Sequence, residues 1–211
     1  MTPYYQDSAV TLYHGDCREI VPQLGRFDLL LTDPPYGIGS WSATGGNSIS
    51  KEEAKKINEW DIAPTSDDLK GLIALCRYSI VWGGNYFAGG IGNFRSPLIW
   101  DKAIRGMHFA DGELAWTNFD FGSLRIFNLS AAASDARGAR QHPTQKPTQL
   151  MAWCLSLVPD AKTVLDPFAG SGTTGRACKD LGRQCVMIER EEAYCEIAAR
   201  RCQQEVLNFA Q

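Results

Sequence analysis

A strand, a glycine-rich turn and the opening of a helix stand in one unbroken stretch late in the chain. Their position constrains the fold more than any other feature. Residues 163–175 read Thr-Val-Leu-Asp-Pro-Phe-Ala-Gly-Ser-Gly-Thr-Thr-Gly, with Gly170, Gly172 and Gly175 in the spacing G-x-G-x-x-G. Such glycines let a backbone turn sharply and approach a ligand, and the helix that follows offers unpaired N–H groups to an anion. Glu189 closes the next apolar run, nineteen residues after Gly170, where an acid that accepts from sugar hydroxyls is expected. Only 36 residues follow Gly175, room for one helix, one strand and a final helix. The rest of the sheet must therefore come from the N-terminal side. The pattern leaves the anion open between a pyrophosphate and a carboxylate, although Asp166 would repel the first and could attract an ammonium.

The N-terminal side can supply those strands. Short apolar, β-rich runs ended by Gly, Pro or Asp alternate with stretches of helical period, the signature of an α/β fold. The pattern predicts strands at 11–14, 27–32, 79–82, 98–100, 113–117, 123–127, 163–165 and 184–188, and helices at 67–77, 147–157, 172–181 and 191–207. Ser66 is the expected N-cap of the first helix, and Gly182 stops the third. Two stretches break the alternation, 37–64 and 129–141, and connections of this length are commonly binding loops. A short helix near 51–57 is the one regular element expected in the first of them. A chain of 211 residues, 44% hydrophobic and 21% charged, can bury a single core, so one domain spanning 1–211 is expected and disordered or fibrous classes are excluded.

No apolar run approaches a membrane span, and the N-terminus lacks a basic region followed by an apolar one, so the expected location is cytoplasmic, with no membrane partner. Seven cysteines are an odd number and none form Cys-x-x-Cys, which is neither disulfide nor zinc arithmetic. They read as small buried thiols, and no metal site is expected. A formal charge of -3 argues against non-specific coating of nucleic acid, which needs clustered Lys and Arg, but leaves room for a local basic face.

The predicted strand 27–32 runs into Asp33-Pro34-Pro35-Tyr36-Gly37. Two consecutive prolines cannot continue a sheet ladder, so a carboxylate, a fixed carbonyl and an aromatic ring are held at the carboxyl end of a strand, where α/β proteins place ligands.

Asp33-Pro34-Pro35-Tyr36, followed much later by Asp166-Pro167-Phe168-Ala169-Gly170-Ser171-Gly172-Thr173-Thr174, resembles the DNA amino-methyltransferases that use S-adenosylmethionine. The order, catalytic motif before cofactor motif, is similar to their circularly permuted β class. His14-Gly15-Asp16-Cys17, Leu98 to Lys102 (LIWDK) and His142-Pro143-Thr144-Gln145-Lys146-Pro147 agree, so the likeness spans nearly the whole chain. It implies a Rossmann-like methyltransferase fold, a mixed and mainly parallel sheet with helices on both faces. It also implies methyl transfer to an exocyclic amine of a DNA base, N6 of adenine or N4 of cytosine, without a metal. The first motif position is typically Asp in adenine enzymes and more often Ser in cytosine enzymes, so Asp33 favours adenine.

By the same resemblance Asp33 and the Pro34 carbonyl accept the N–H groups of the target amine, Pro35 fixes the turn and Tyr36 stacks on the base. The cofactor falls to Asp16 and Cys17 near its adenine, Glu189 on its ribose, and Asp166, Phe168, Ala169, Gly170, Ser171, Gly172 and Thr173 around its methionine end, with Asp33, Thr144, Gln145 and Lys146 completing the pocket. Larger members carry a separate target-recognition domain. Here contact with DNA falls to the two long loops, with Lys51, Lys55 and Lys56 in one and Arg137 and Arg140 in the other. Self-association into a homodimer stays open. An RNA or protein-amide acceptor fits the motif order less well, and a nicotinamide-dependent oxidoreductase or a non-catalytic DNA-binding module leaves Asp33 to Tyr36 unexplained.

Overall fold

The computed structural model describes residues 1–39, 55, 59, 61–106, 110–120, 122–130 and 145–204. In chain order these residues form β1 (Tyr5–Gln6), β2 (Val10–His14), α1 (Cys17–Ile20), a 3-10 turn (Val21–Gln23) and β3 (Phe27–Thr32). Next come α2 (Ser66–Ala74), β4 (Cys76–Trp82), α3 (Gly84–Ile91), β5 (Leu98–Asp101), β6 (Gly112–Thr117) and β7 (Arg125–Asn128). The last group is α4 (Thr148–Ser156), β8 (Thr163–Asp166), α5 (Thr173–Asp180), β9 (Gln184–Glu189) and α6 (Glu192–Gln203). One nine-stranded sheet holds them in the order β1-β2-β9-β8-β3-β4-β6-β5-β7. The run from β2 to β4 is parallel throughout, and β6 enters antiparallel to β4.

Strands buried on both faces read as continuous apolar runs, and β3 is one: Leu29, Leu30 and Leu31 are all fully buried. Leu29 and Leu31 face the core beneath Leu150, Met151 and Leu155 of α4, Ala177 of α5 and Ala198 of α6. Leu30 faces the opposite layer, with Ile20 of α1, Leu69 and Leu72 of α2 and Phe87 and Ile91 of α3. At roughly 2 kcal/mol for each fully buried aliphatic side chain, this two-sided burial holds β3 at the centre of the sheet. Six of the seven cysteines are buried free thiols, as expected, and Cys17 is partly exposed. Among the described residues no helix is long and apolar enough to cross a membrane.

Polar ties lock β8 beside β3 at both ends. At the start, Asp28 Oδ2 accepts from the backbone amides of Lys162 and Thr163 at 2.8 and 2.9 Å and from the Thr163 hydroxyl at 3.0 Å. At the end, the Thr32 hydroxyl donates to Asp166 Oδ1 at 2.8 Å. Strand order reverses here: β8 leads outward through α5 to β9, whereas β3 leads the other way to β4. The crevice at the carboxyl ends of two such strands is where ligands sit in open α/β sheets.

Several expected boundaries move. The helix expected at 67–77 ends at Ala74, because Cys76 enters the ladder opposite Phe27 and backbone pairing overrides a helical period. Its cap is Thr65 rather than Ser66: the Thr65 hydroxyl accepts from the Asp68 amide while the Asp68 carboxylate accepts from the Thr65 amide, a reciprocal capping box. Strand 123–127 shifts to Arg125–Asn128, drawn into parallel register with β5. The helix expected over 191–207 runs to Gln203, and 205–207 lie outside the described residues, as does most of the short helix expected near 51–57. Four elements, β1, α1, the 3-10 turn and α3, are additions to the expected set.

Candidate active site

A cavity of about 400 Å³ opens at the carboxyl ends of β3 and β8. Its wall brings together nearly all of the residues the sequence singled out: Asp33, Pro34, Pro35 and Tyr36 on one side, Asp166, Phe168, Ala169, Gly170, Ser171 and Thr173 on the other, with Asp16, Cys17, Gln145, Lys146 and Glu189 around the rim. Segments more than a hundred residues apart in sequence thus share one space.

Gly172 is the exception, because it does not line the cavity. It caps α5 in the left-handed region, at φ +78°, and a Cβ built there would lie 2.7 Å from the Cβ of Ala198. This glycine lets the turn pack directly on α6 and shapes the cavity from behind. Thr144 lies outside the described residues, as do Lys51, Lys56, Arg137 and Arg140. Lys55 is exposed and pairs with Glu59 at 3.8 Å.

On the glycine-turn side, Glu189 ends β9 with its carboxylate fixed by backbone amides, Gly170 at 2.8 Å to Oε2, Glu191 at 2.8 Å to Oε1, and Arg190. Burial raises its pKa, and those amides oppose the shift. Asp166 is 2% exposed, and burial pushes its carboxyl up to about 6 in spite of hydrogen bonds from Thr174, Thr32 and the Phe168 amide. Ser171 donates to Gln145 Oε1 at 3.2 Å and accepts from Arg201 at 3.0 Å, which ties the segment before α4 to the turn. Asp16 borders the same space, but its carboxylate caps α1 through the Arg18 amide and pairs with the Arg18 guanidinium. Burial pushes the neighbouring Cys17 thiol up to about 11, which keeps it protonated at neutral pH.

At the other end stands a group of charges that motif spacing only half revealed. Asp33 Oδ1 accepts from the Tyr36 hydroxyl at 2.6 Å, and Oδ2 accepts from Lys146 Nζ at 2.6 Å. Lys146 also reaches Glu113 Oε2 of β6 at 2.8 Å and the Tyr36 hydroxyl oxygen at 3.1 Å. Glu113 Oε1 in turn pairs with Lys102 Nζ at 2.7 Å. The Lys146 side chain is 4% exposed, whereas those of Asp33 and Glu113 keep about a fifth of their surface. Burial raises Asp33, with Lys146 opposing it. Burial also works against Glu113, but Lys146 and Lys102 outweigh it and hold that carboxyl at about 2. The two carboxylates overcome the burial of Lys146 and push it up to about 12. Glu113 and Lys102 were missed as site residues; the one signal for them is the Lys in Leu-Ile-Trp-Asp-Lys, since Glu113 itself looks like a polar position in an alternating strand.

The ring of Tyr36 stacks on Tyr86 with centroids 4.8 Å apart and planes at 22°. It lies flat against Gly83, where a Cβ would come within 2.0 Å of the ring, so only glycine fits beneath it. Asp61 accepts from the amides of Gly37 and Gly39 at 3.0 and 2.6 Å, drawing the two ends of the 37–64 segment together beside the cavity.

A family model described as DNA methylase, N6_N4_Mtase, matches residues 78–200, more than half of the chain. The chain belongs to this family of N6/N4 DNA methylases. The match begins within β4, so Asp33 to Tyr36 of the methylase stand outside it. The methylase is 25% identical to the Type II methyltransferase M2.LlaDCHI of Lactococcus lactis subsp. cremoris, over 94% of this chain and 91% of that one. It is 26% identical to M2.MboI of Moraxella bovis over 94% and 90%. Among solved structures it matches the M1.HpyAVI-SAM complex with a TM-score of 0.60 at 24% identity, over 92% of this chain and 100% of that one. It matches PvuII DNA methyltransferase (cytosine-N4-specific) with a TM-score of 0.65 at 15% identity, over 98% and 90%. These structural likenesses bear out the expected methyltransferase fold of the methylase, a mixed and mainly parallel sheet with helices on both faces.

Proposed function

We propose that this methylase transfers the methyl group of S-adenosylmethionine to the exocyclic N6 amine of adenine in DNA. The observation that carries the reading is the single cavity that has Asp33, Pro34 and Tyr36 at one end and the 166–173 turn with Glu189 at the other. The residues present fit the cofactor by their chemistry. Glu189, a carboxylate held in place by backbone amides at the rim of the cavity, suits a ribose diol. Asp166, buried and bonded only by uncharged donors, suits an ammonium. The backbone at the start of α5 suits a carboxylate, and Phe168 offers an apolar wall.

When bound, S-adenosylmethionine supplies an electrophilic methyl group. The target amine is a poor nucleophile because its lone pair is delocalised into the base. Asp33 and the Pro34 carbonyl each accept one N–H, which draws the nitrogen toward tetrahedral geometry and aims its lone pair into the cavity. Acceptors fixed before the substrate arrives need no reorganisation during reaction, and this preorganisation carries the catalysis. Tyr36 serves Asp33 through its hydroxyl, and its ring, stacked on Tyr86 and packed on Gly83, backs the base pocket where the sequence suggests a free stacking face. An amine inside a paired stack is out of reach, so the base must leave the helix at a cost of a few kcal/mol. Contact with DNA falls to the 37–64 and 129–141 segments, through Lys51, Lys55, Lys56, Arg137 and Arg140.

Adenine is favoured over cytosine by Asp33 at the first position of the catalytic motif. The cytosine-N4-specific neighbour, at 15% identity, speaks to the fold alone. Nucleoside mass spectrometry of unmethylated DNA after incubation with the protein and S-adenosylmethionine tests the assignment. N6-methyladenine is expected, and 4-methylcytosine as the main product would overturn it.

A further inference from the structure

We infer that Lys146 and Glu113 are positioning residues for Asp33, so that Lys146 acts on the target-amine side of the cavity and not on the cofactor. The inference rests on the proposed role of Asp33 as an acceptor. An ammonium has three N–H donors and no acceptor. Those of Lys146 have three acceptors within reach: Asp33 Oδ2 at 2.6 Å, Glu113 Oε2 at 2.8 Å and the Tyr36 hydroxyl oxygen at 3.1 Å. With its side chain 4% exposed, nothing is left over for a cofactor carboxylate.

Asp33 has demanding surroundings. Lys146 meets it from the segment before α4, Glu113 acts on it from β6 and the Tyr36 hydroxyl bonds it from its own turn, with Lys102 of β5 behind Glu113 and the charge of Asp166 on β8 within electrostatic reach. Three carboxylates converge here, and without Lys146 the cheapest response is for Asp33 to take up a proton. A protonated Asp33 presents an O–H donor to an amine whose own N–H groups are donors, and the acceptor is lost. Lys146 therefore keeps Asp33 ionised, and its bond to Oδ2 together with the Tyr36 bond to Oδ1 sets the plane of the carboxylate. Glu113, pinned by Lys102 at 2.7 Å, holds the ammonium in place from its far side. Within the ion-paired part of the group, Asp33 and Glu113 are matched by Lys146 and Lys102, so that Asp166 is the one carboxylate there without a cationic partner. Three segments that the sequence singled out, Asp33 to Tyr36, Leu98 to Lys102 and Gln145 to Pro147, thereby meet with Glu113 of β6 in one electrostatic unit.

The test uses Lys146→Met and Glu113→Gln in the full chain, with two readouts. The carboxyl ¹³C resonance of Asp33, assigned by its absence in Asp33→Asn, is titrated in the ligand-free protein, and the affinity for S-adenosylmethionine is measured by calorimetry. The expected result for Lys146→Met is an Asp33 midpoint raised by about one pH unit or more, with cofactor affinity within about threefold of wild type. Methyl transfer falls about tenfold or more at neutral pH and recovers as pH rises. Glu113→Gln removes a like charge while the amide oxygen still accepts from Lys146 and keeps it against Asp33, so the midpoint moves the other way. A midpoint unchanged in Lys146→Met, or cofactor affinity weakened about tenfold with the titration unmoved, overturns the inference, as does a midpoint shifted upward in Glu113→Gln if Lys146→Met does not fold. Absence of methyl transfer by the wild type to any DNA would instead remove the functional reading, since the titration needs no activity.

Discussion

Replacing Asp166 with Asn is expected to stabilise the ligand-free protein while weakening its grip on S-adenosylmethionine. The carboxylate is 2% exposed, and the hydrogen bonds it receives, from Thr32, Thr174 and the Phe168 amide, come from uncharged donors. Burial lifts its pKa from 3.8 to about 6. Between those values the folded protein holds a proton that the unfolded chain has released, so stability falls as pH rises through the window, and the loss is complete above it. A shift of about two units corresponds to about 3 kcal/mol. Asparagine keeps an oxygen for Thr32 and the Phe168 amide but carries no charge, so it should recover about 1–3 kcal/mol at neutral pH, or roughly 2–10 °C in Tm for a domain of this size. Near pH 4 the two proteins should melt together, because Asp166 is then largely protonated in the folded state. The same substitution deletes the partner proposed for the cofactor ammonium, and Kd should rise about tenfold or more. Thermal melts from pH 4 to 8 and calorimetric titration check both halves. A variant less stable than wild type at pH 8, or a Tm difference independent of pH, would refute the reasoning.

Two further substitutions probe the rest of the site. Asp33→Ala should lower methyl transfer by about a hundredfold or more and leave cofactor affinity within about threefold; transfer within about tenfold of wild type, measured with labelled cofactor, would take Asp33 out of the catalytic role. Gly172→Ala forces a side chain into φ +78° and against Ala198 at 2.7 Å, so it should cost about 2–4 kcal/mol in denaturant unfolding, and a smaller loss than about 0.5 kcal/mol would show that α6 yields there.

What the sequence disclosed was whatever depends on neighbours in the chain. The run Leu29 to Leu31 ending at two prolines, and the glycines after Asp166, carry their geometry locally, and they located both ends of the cavity. Helix α3 did not announce itself, because Gly84, Gly89 and Gly90 are poor helix formers. Two of these glycines are demanded by neighbours elsewhere: a Cβ on Gly84 would meet the Trp116 amide at 2.6 Å, and one on Gly90 the Ser66 hydroxyl at 2.0 Å. Tertiary packing, not helix propensity, explains that element. The two-residue β1 and four-residue α1 are too short to show a period. Glu113 was hidden for a related reason. Its partners Lys102 and Lys146 come from β5 and from the approach to α4, so nothing in its own strand marks it apart from other polar residues facing outward.

The sheet order also has a consequence for how the chain comes to be folded. β2 and β3 are separated in the sheet by β9 and β8, the last strands in the described chain. Of the five parallel strands β2, β9, β8, β3 and β4, only β3 and β4 have each other as partners before residue 163 is made. As the protein leaves the ribosome, one edge of β3 and its leucine run wait for about 130 residues of synthesis, and β2 waits longer still. Contacts this distant in sequence form slowly, and unpaired apolar edges invite association with other chains meanwhile. The yield of native protein should therefore depend on crowding and chaperone supply during synthesis far more than the equilibrium stability of the finished sheet would suggest.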